Sequence, residues 1–383
     1  MFQQQLYSYE DARAIARRRL PRMVFDYIDG TAGTGFGESL NLSALASVRL
    51  QPRVLVDVSM RDLSVAVFGS KCLLPFGVSP MAMCNLAAPE ADRCLAKLSA
   101  KYKTPLGVST MSSSTLEQLI EWSEGCAWFQ LYFSGDGTQT FKLIDRAKHA
   151  GYSNLVLTLD VPEVARRPLD QRHGFTIPFR IGPRQLFDLL THPRWTFGQV
   201  LAGIPGMANF AAEGFHFERT ASRGKADWTT LRQIRDRWPG KLIAKGITSV
   251  EDALRLSKEG VDAIQVSGHG GRQLDALPPP ILQLRAIRTA VGNDYPLFYD
   301  SGIRSGEDIV KAYAMGANFV FLGRSMQYAV AAGAGPGLEQ WWKTLSNDVS
   351  ITLALLGKTG LSSLAECNLA SEPEPTVPEP SVL

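Results

Sequence analysis

Eight short apolar runs, each closing on small or polar residues, constrain this chain more than any other feature. They are Phe76-Gly77-Val78-Ser79-Pro80, Leu106-Gly107-Val108-Ser109-Thr110, Trp128-Phe129-Gln130-Leu131-Tyr132, Leu155-Val156-Leu157-Thr158-Leu159-Asp160, Leu242-Ile243-Ala244-Lys245-Gly246, Ala263-Ile264-Gln265-Val266, Leu297-Phe298-Tyr299-Asp300-Ser301-Gly302 and Phe319-Val320-Phe321-Leu322-Gly323-Arg324. Helical patterns separate most of them: Pro89 to Tyr102, Gln139 to Ala150, Ser249 to Glu259 and Gly306 to Met315. Near-continuous apolar strands alternating with helices mean a parallel sheet covered on both faces. Eight such units in about 250 residues predict an α/β fold, the (β/α)8 or TIM barrel. A doubly wound sheet is the alternative; it predicts a G-x-G-x-x-G turn after the first strand, and none is present.

The lead-in is helical. Ser8 with Asp11 three residues later reads as a capping box, and a second helical stretch runs from Met23 to Ile28 before four glycines (Gly30, Gly33, Gly35, Gly37) break the chain. About 80 residues separate Asp160 from Leu242, against about 20 to 35 elsewhere, so an insertion of about 165–225 follows the fourth strand. It is rich in Arg, Pro, Phe and Leu. Such an insertion lies on the catalytic face as a lid, or rests on a membrane surface as well; both readings stay open. One domain is expected over 1–369, with a disordered Glu-, Pro- and Ser-rich tail over 370–383.

The net charge of +3 and the absence of a basic stripe or zinc-finger spacing argue against nucleic acid. Five scattered cysteines form no C-x-x-C pair, so neither a disulfide framework nor a metal site is expected, and a reducing cytoplasm fits. Met1 to Gln5 lack the charged-then-apolar pattern of a signal peptide, and no apolar run is long enough to span a membrane.

In such a barrel the strand ends carry the chemistry. Here they offer Ser79, Pro80, Ser109, Thr110, Gln130, Tyr132, Thr158, Asp160, Lys245, His269, Asp300 and Arg324. So many polar groups converging on one face need partners or a ligand. The stretch Ser267-Gly268-His269-Gly270-Gly271-Arg272-Gln273-Leu274-Asp275 supplies an imidazole, a side chain suited to taking a proton, and, three residues on, a guanidinium that can grip a carboxylate. Gly302-Ile303-Arg304 and Gly323-Arg324, each opening a helix after the seventh and eighth strands, form a phosphate site. Lys245 either stabilises charge on a cofactor ring or sits in an internal ion pair. Tyr27 alone reads as a packed aromatic.

The Ser267–Asp275 motif resembles that of the FMN-dependent α-hydroxy acid oxidases and dehydrogenases, which include glycolate oxidase, L-lactate dehydrogenase and (S)-mandelate dehydrogenase. The run His192-Pro193-Arg194-Trp195 and the later Ala208-Asn209-Phe210 resemble the mandelate and bacterial lactate branch. The resemblance implies FMN as cofactor and oxidation of an (S)-2-hydroxy acid to its 2-keto acid. It implies His269 as the base with Asp160 as its carboxylate partner. Arg272, Arg167 and Tyr27 then hold the substrate carboxylate, and Tyr132 lies near the substrate hydroxyl. Lys245 faces the flavin. Ser79, Pro80, Met81, Ala82, Ser109, Gln130, Thr158 and Ser267 surround the ring, and Asp300, Gly302, Arg304, Gly323 and Arg324 hold the ribityl phosphate. Oxygen or a quinone accepts the electrons, a homotetramer is expected, and the location is cytoplasmic or peripheral on the inner membrane.

The chain departs from the family pattern at several points. Gly268 replaces Asn in the motif, Met81 replaces Thr, and Pro168 replaces the Glu after Arg167. Ala82 stands where mandelate dehydrogenases often have Gly, which leans toward oxygen as acceptor. Met111 replaces the tryptophan of glycolate oxidase and should widen the substrate pocket. Two rivals remain: a same-fold FMN enzyme with a non-standard substrate, and a non-catalytic flavin-binding barrel.

Overall fold

The computed structural model describes residues 5–176, 181–211, 214–216 and 223–364. The expected tail and parts of the insertion lie outside these residues.

Three helices lead in: α1 (Tyr9–Arg19), α2 (Arg22–Asp29) and α3 (Phe36–Ser47). The capping box at Ser8 forms as expected: Ser8 Oγ accepts the Asp11 N–H at 3.1 Å and the Asp11 carboxylate accepts the Ser8 N–H at 3.0 Å. A small antiparallel hairpin, β1 (Val65–Val67) and β2 (Ser70–Cys72), follows. Eight parallel strands then close into a barrel: β3 (Phe76–Met81), β4 (Leu106–Ser109), β5 (Ala127–Tyr132), β6 (Asn154–Thr158), β7 (Lys241–Ile247), β8 (Ala263–Val266), β9 (Leu297–Tyr299) and β10 (Phe319–Leu322). β10 pairs back onto β3, with Val320 opposite Phe76. The remaining helices are α4 (Ala91–Tyr102), α5 (Leu116–Trp122) and α6 (Thr138–His149), then α7 (Pro168–His173), α8 (Pro183–Thr191) and α9 (Pro193–Ala202) in the insertion. After these come α10 (Trp228–Arg237), α11 (Val250–Lys258), α12 (Pro280–Val291), α13 (Gly306–Ala314) and α14 (Arg324–Leu355).

Period-two alternation divides each strand between two cores. Phe129, Leu131, Leu155 and Leu157 join the large core between barrel and helices. Trp128, Val156, Ile243, Ala263, Phe298, Phe319 and Phe321 form a separate cluster, which the hairpin residues Val67 and Cys72 join. Two residues further along the same strand faces come Gln130, Thr158, Lys245, Gln265 and Asp300. The inward stripe therefore switches from aromatic and aliphatic to polar toward the C-terminal strand ends. The apolar layer makes one end of the barrel a packed plug, and the polar layer above it is the floor of the site.

Candidate active site

One cavity of about 170 Å³ opens over that floor. Ser79, Pro80, Met81, Ala82, Ser109, Met111, Tyr132, Lys245, His269, Asp300, Gly302, Arg304, Gly323 and Arg324 line it, joined by Tyr27 from α2 and by Arg167 and Arg272. Asp160, Gln130, Thr158 and Ser267 are not among the lining residues. Asp160 and Ser267 bond to residues that are: Asp160 to His269, and Ser267 to His269 and Lys245.

His269 is the clearest case. Its φ is +52°, and Gly270 and Gly271 follow at +62° and +70°. A non-glycine residue in the left-handed region costs about 1 kcal/mol or more and persists only where its surroundings hold it. Here Ser267 Oγ accepts the His269 N–H at 3.0 Å. The hydroxyl of Ser301, itself at φ +92°, accepts the N–H groups of Gly268 and Gly270 at 3.0 and 3.2 Å. His269 Nδ1 lies 3.1 Å from both carboxylate oxygens of Asp160. A carboxylate only accepts, so Nδ1 carries the hydrogen and Nε2 is left as the acceptor. Burial alone would raise the Asp160 carboxyl, but the charge and hydrogen bond of His269, with Lys245, hold it below the ordinary carboxylate range. Asp160 packs against Gly246 (φ +94°), where an added Cβ would come within 2.4 Å of the Asp160 carboxyl carbon.

Lys245 forms the internal ion pair and also faces the cavity. Its Nζ donates to Ser267 Oγ at 2.8 Å and pairs with Asp300 at 3.1 Å. Asp300 is a hub: one of its oxygens also accepts from Gln265 Nε2 at 2.8 Å and Ser79 Oγ at 3.1 Å, and the other from Ser301 Oγ at 3.0 Å. Four donors around one carboxylate fix the floor of the cavity. Gln130 donates to Thr158 Oγ1 at 2.9 Å and accepts the Thr110 N–H at 3.3 Å, which ties β4, β5 and β6 together at that level.

The guanidiniums gather at the C-terminus of α2. Arg272 donates to Gly30 O at 2.7 Å, and Arg324 Nη2 to the same carbonyl at 3.0 Å. These carbonyls are the unpaired negative end of a helix, which favours cations. The Arg272 guanidinium stands 5.4 Å from the Tyr27 ring centroid, and Tyr27 stacks on Phe175 at 4.0 Å. Burial, with Arg167 and Arg324 nearby, pulls Arg272 down to about 10, still a cation at neutral pH. Burial and Asp160 push the Tyr132 hydroxyl up to about 12, so it stays a proton donor. Arg167 precedes α7 and faces Asp170 at 3.8 Å. α7 docks on α2, where His173 pairs with Asp26.

Gln265, Ser301, Asp170 and Glu38 were missed from sequence. Gln265 had a signal, as the one polar residue inside an apolar strand. Ser301 and Glu38 act through contacts between distant segments, which no local pattern announces, and Asp170 faces Arg167 three residues before it.

A closed parallel barrel whose cavity gathers an imidazole backed by a carboxylate, guanidiniums and a basic glycine-rich end suits a phosphorylated cofactor and an anionic substrate. Known proteins narrow this. The model of the FMN-dependent dehydrogenase family matches residues 16–371, and the chain belongs to that family. It is 36% identical over 376 residues to (S)-mandelate dehydrogenase of Pseudomonas putida, covering 96% of this chain and 95% of that one. It is 34% identical over 367 residues to L-lactate dehydrogenase of Pseudomonas syringae pv. syringae, covering 93% and 96%. Its fold matches the crystal structure of the monotopic membrane protein (S)-mandelate dehydrogenase with a TM-score of 0.88 and 35% identity, over 94% of this chain and 98% of that one. The chain is therefore an FMN-dependent 2-hydroxy acid dehydrogenase or oxidase. The donor set fits the cofactor: a cation and hydroxyls on the floor, and at one end Arg304, Arg324 and Gly302, the last held at φ +85°.

Proposed function

We propose that the chain oxidises an (S)-2-hydroxy acid of the mandelate or lactate type to the 2-keto acid and passes the electrons to a membrane quinone. The observation that carries this is the single cavity in which His269, backed by Asp160, faces Arg272, Arg167 and Tyr27. Bound FMN supplies a two-electron acceptor. Arg272 and Arg167 hold the substrate carboxylate, assisted by the Tyr27 hydroxyl. His269 Nε2 removes a proton, and the Asp160 charge stabilises the imidazolium that results. Tyr132 donates a hydrogen bond to the substrate oxygen. The Lys245 cation, steadied by Asp300, offsets negative charge that develops on the floor of the site. Met111 in place of a bulkier ring leaves room for a substrate side chain larger than that of glycolate.

The insertion supports the membrane partner. Trp195 Nε1 donates to Leu86 O at 2.8 Å and Gln199 Nε2 to Asn85 O at 2.6 Å, which anchors one side of α9 on the barrel rim. Phe197, Val200 and Leu201 face away, with Leu186, Phe187 and Leu190 of α8; all six are exposed, Leu201 to 88%. Arg184 and Arg194 flank them, also exposed. An exposed apolar stripe with arginines beside it suits the interfacial region of a bilayer. No helix among the described residues is long and apolar enough to cross one. A second reading, oxygen as acceptor, draws on Ala82 in the cavity wall. Anaerobic mixing with L-lactate, (S)-mandelate and glycolate tests the reading: one acid should bleach the flavin, and slow return of colour in air marks a quinone enzyme. A yellow protein that none of the three bleaches refutes the substrate class.

A further inference from the structure

The basic end of the cavity holds an anion of its own. Glu38, in the first turn of α3, lines it beside Arg304, Arg324, Gly302 and Gly323. Its carboxylate accepts from Arg324 Nη1 at 2.5 Å and lies 3.9 Å from Arg304 Nη2. Arg324 also donates from Nε to Ile28 O at 3.1 Å and from Nη2 to Gly30 O at 3.0 Å, so each of its guanidinium nitrogens has a protein acceptor. Burial would lower Arg324, yet Glu38 and its other neighbours outweigh that and hold it above the ordinary arginine value. Arg304 is engaged differently, its guanidinium 4.6 Å from the Tyr9 ring centroid. Glu38 has little room to leave: a Cβ added to Gly271 would sit 2.7 Å from its Cβ, so α3 and the His269 loop press together there.

A phosphate monoester carries about 1.5 to 2 negative charges at neutral pH. Placed at this end, it meets two guanidiniums, one hydrogen-bonded to the Glu38 carboxylate and the other 3.9 Å from it. We infer that Glu38 competes with the cofactor phosphate for Arg324, leaving Arg304 as its principal cation, and so weakens the hold of this chain on FMN. The inference rests on the assignment of the phosphate to Arg304 and Arg324.

Titration of the apoprotein separates the two. FMN and riboflavin, which lacks the phosphate, are each added to wild type, E38Q and R304M, and quenching of flavin fluorescence gives the affinities. In E38Q the preference for FMN over riboflavin should rise about tenfold, because a like charge beside the phosphate is gone while the ring contacts are unchanged. E38A serves the same purpose if E38Q does not fold by circular dichroism. R304M should lose most of the preference. An E38Q or E38A preference equal to or below that of wild type overturns the inference and makes Glu38 a support for the arginine. A preference untouched by R304M overturns the phosphate assignment beneath it.

Discussion

Replacing Asp160 by Asn isolates the electrostatic half of the proposed base. The substitution keeps the shape that packs on Gly246 and removes the charge that sits 3.1 Å from His269 Nδ1 through both oxygens. Two unit charges about 4 Å apart interact by about 4 kcal/mol at an effective dielectric constant near 20. Asn keeps a hydrogen bond, and the nearby Lys245 cation already offsets part of the carboxylate charge. We therefore expect a loss of about 2 to 3 kcal/mol in the transition state, or about 30- to 200-fold in the rate of flavin reduction. The proposal assigns the substrate carboxylate to Arg272, Arg167 and Tyr27, so apparent affinity should change little. Stopped-flow reduction under anaerobic conditions reads both quantities. A rate within about threefold of wild type would refute the reasoning, because charge stabilisation of the imidazolium would then contribute almost nothing. An unchanged limiting rate with weakened saturation would move Asp160 from proton transfer to binding.

Other changes test the remaining parts. His269→Gln should retain yellow, FMN-loaded protein and lose about 10⁴-fold in turnover, the upper range for a general base; near-normal turnover removes that role. Arg272→Met should lower kcat/KM for 2-hydroxy acids by about 100-fold, and an unchanged value dismisses it as the clamp. Asp92 is fully buried and raised from the ordinary 3.8 to about 6 by desolvation. The folded state keeps that proton between about pH 4 and pH 6 while the unfolded state loses it, so stability falls across this window, by at most about 3 kcal/mol. Asp92→Asn should flatten the dependence of Tm on pH there, whereas an unaltered slope contradicts the assignment. Serine at Phe187, Leu190, Phe197 and Leu201 together should abolish flotation with anionic lipid vesicles while leaving flavin reduction by the acid intact; retained flotation denies the insertion its membrane role.

Much of this molecule could be read from residue order alone. Eight apolar runs with helices between them allow few arrangements, because a parallel strand needs a crossover and a two-sided cover. The barrel, its closure, the insertion after the fourth strand and the cap at Ser8 follow from local pattern. The strand-end rule then placed His269, Lys245, Asp300 and Arg324 on one face before any contact was visible. Motif resemblance added Tyr27 and Arg167, which no periodicity marks, and the role of Asp160 as partner of His269.

Only the tertiary structure decided how these groups hold one another. Asp160 and His269 are 109 positions apart, and their 3.1 Å contact depends on β6 and β8 flanking β7 in the closed sheet. Ser301 supports the His269 loop from the next strand unit, and Glu38 reaches Arg324 across 286 residues. Local pattern encodes which face of an element is apolar, since that depends on neighbours a few residues away. It does not encode which charged side chain meets which, because a side-chain contact of about 3 Å is set by the packing of whole elements.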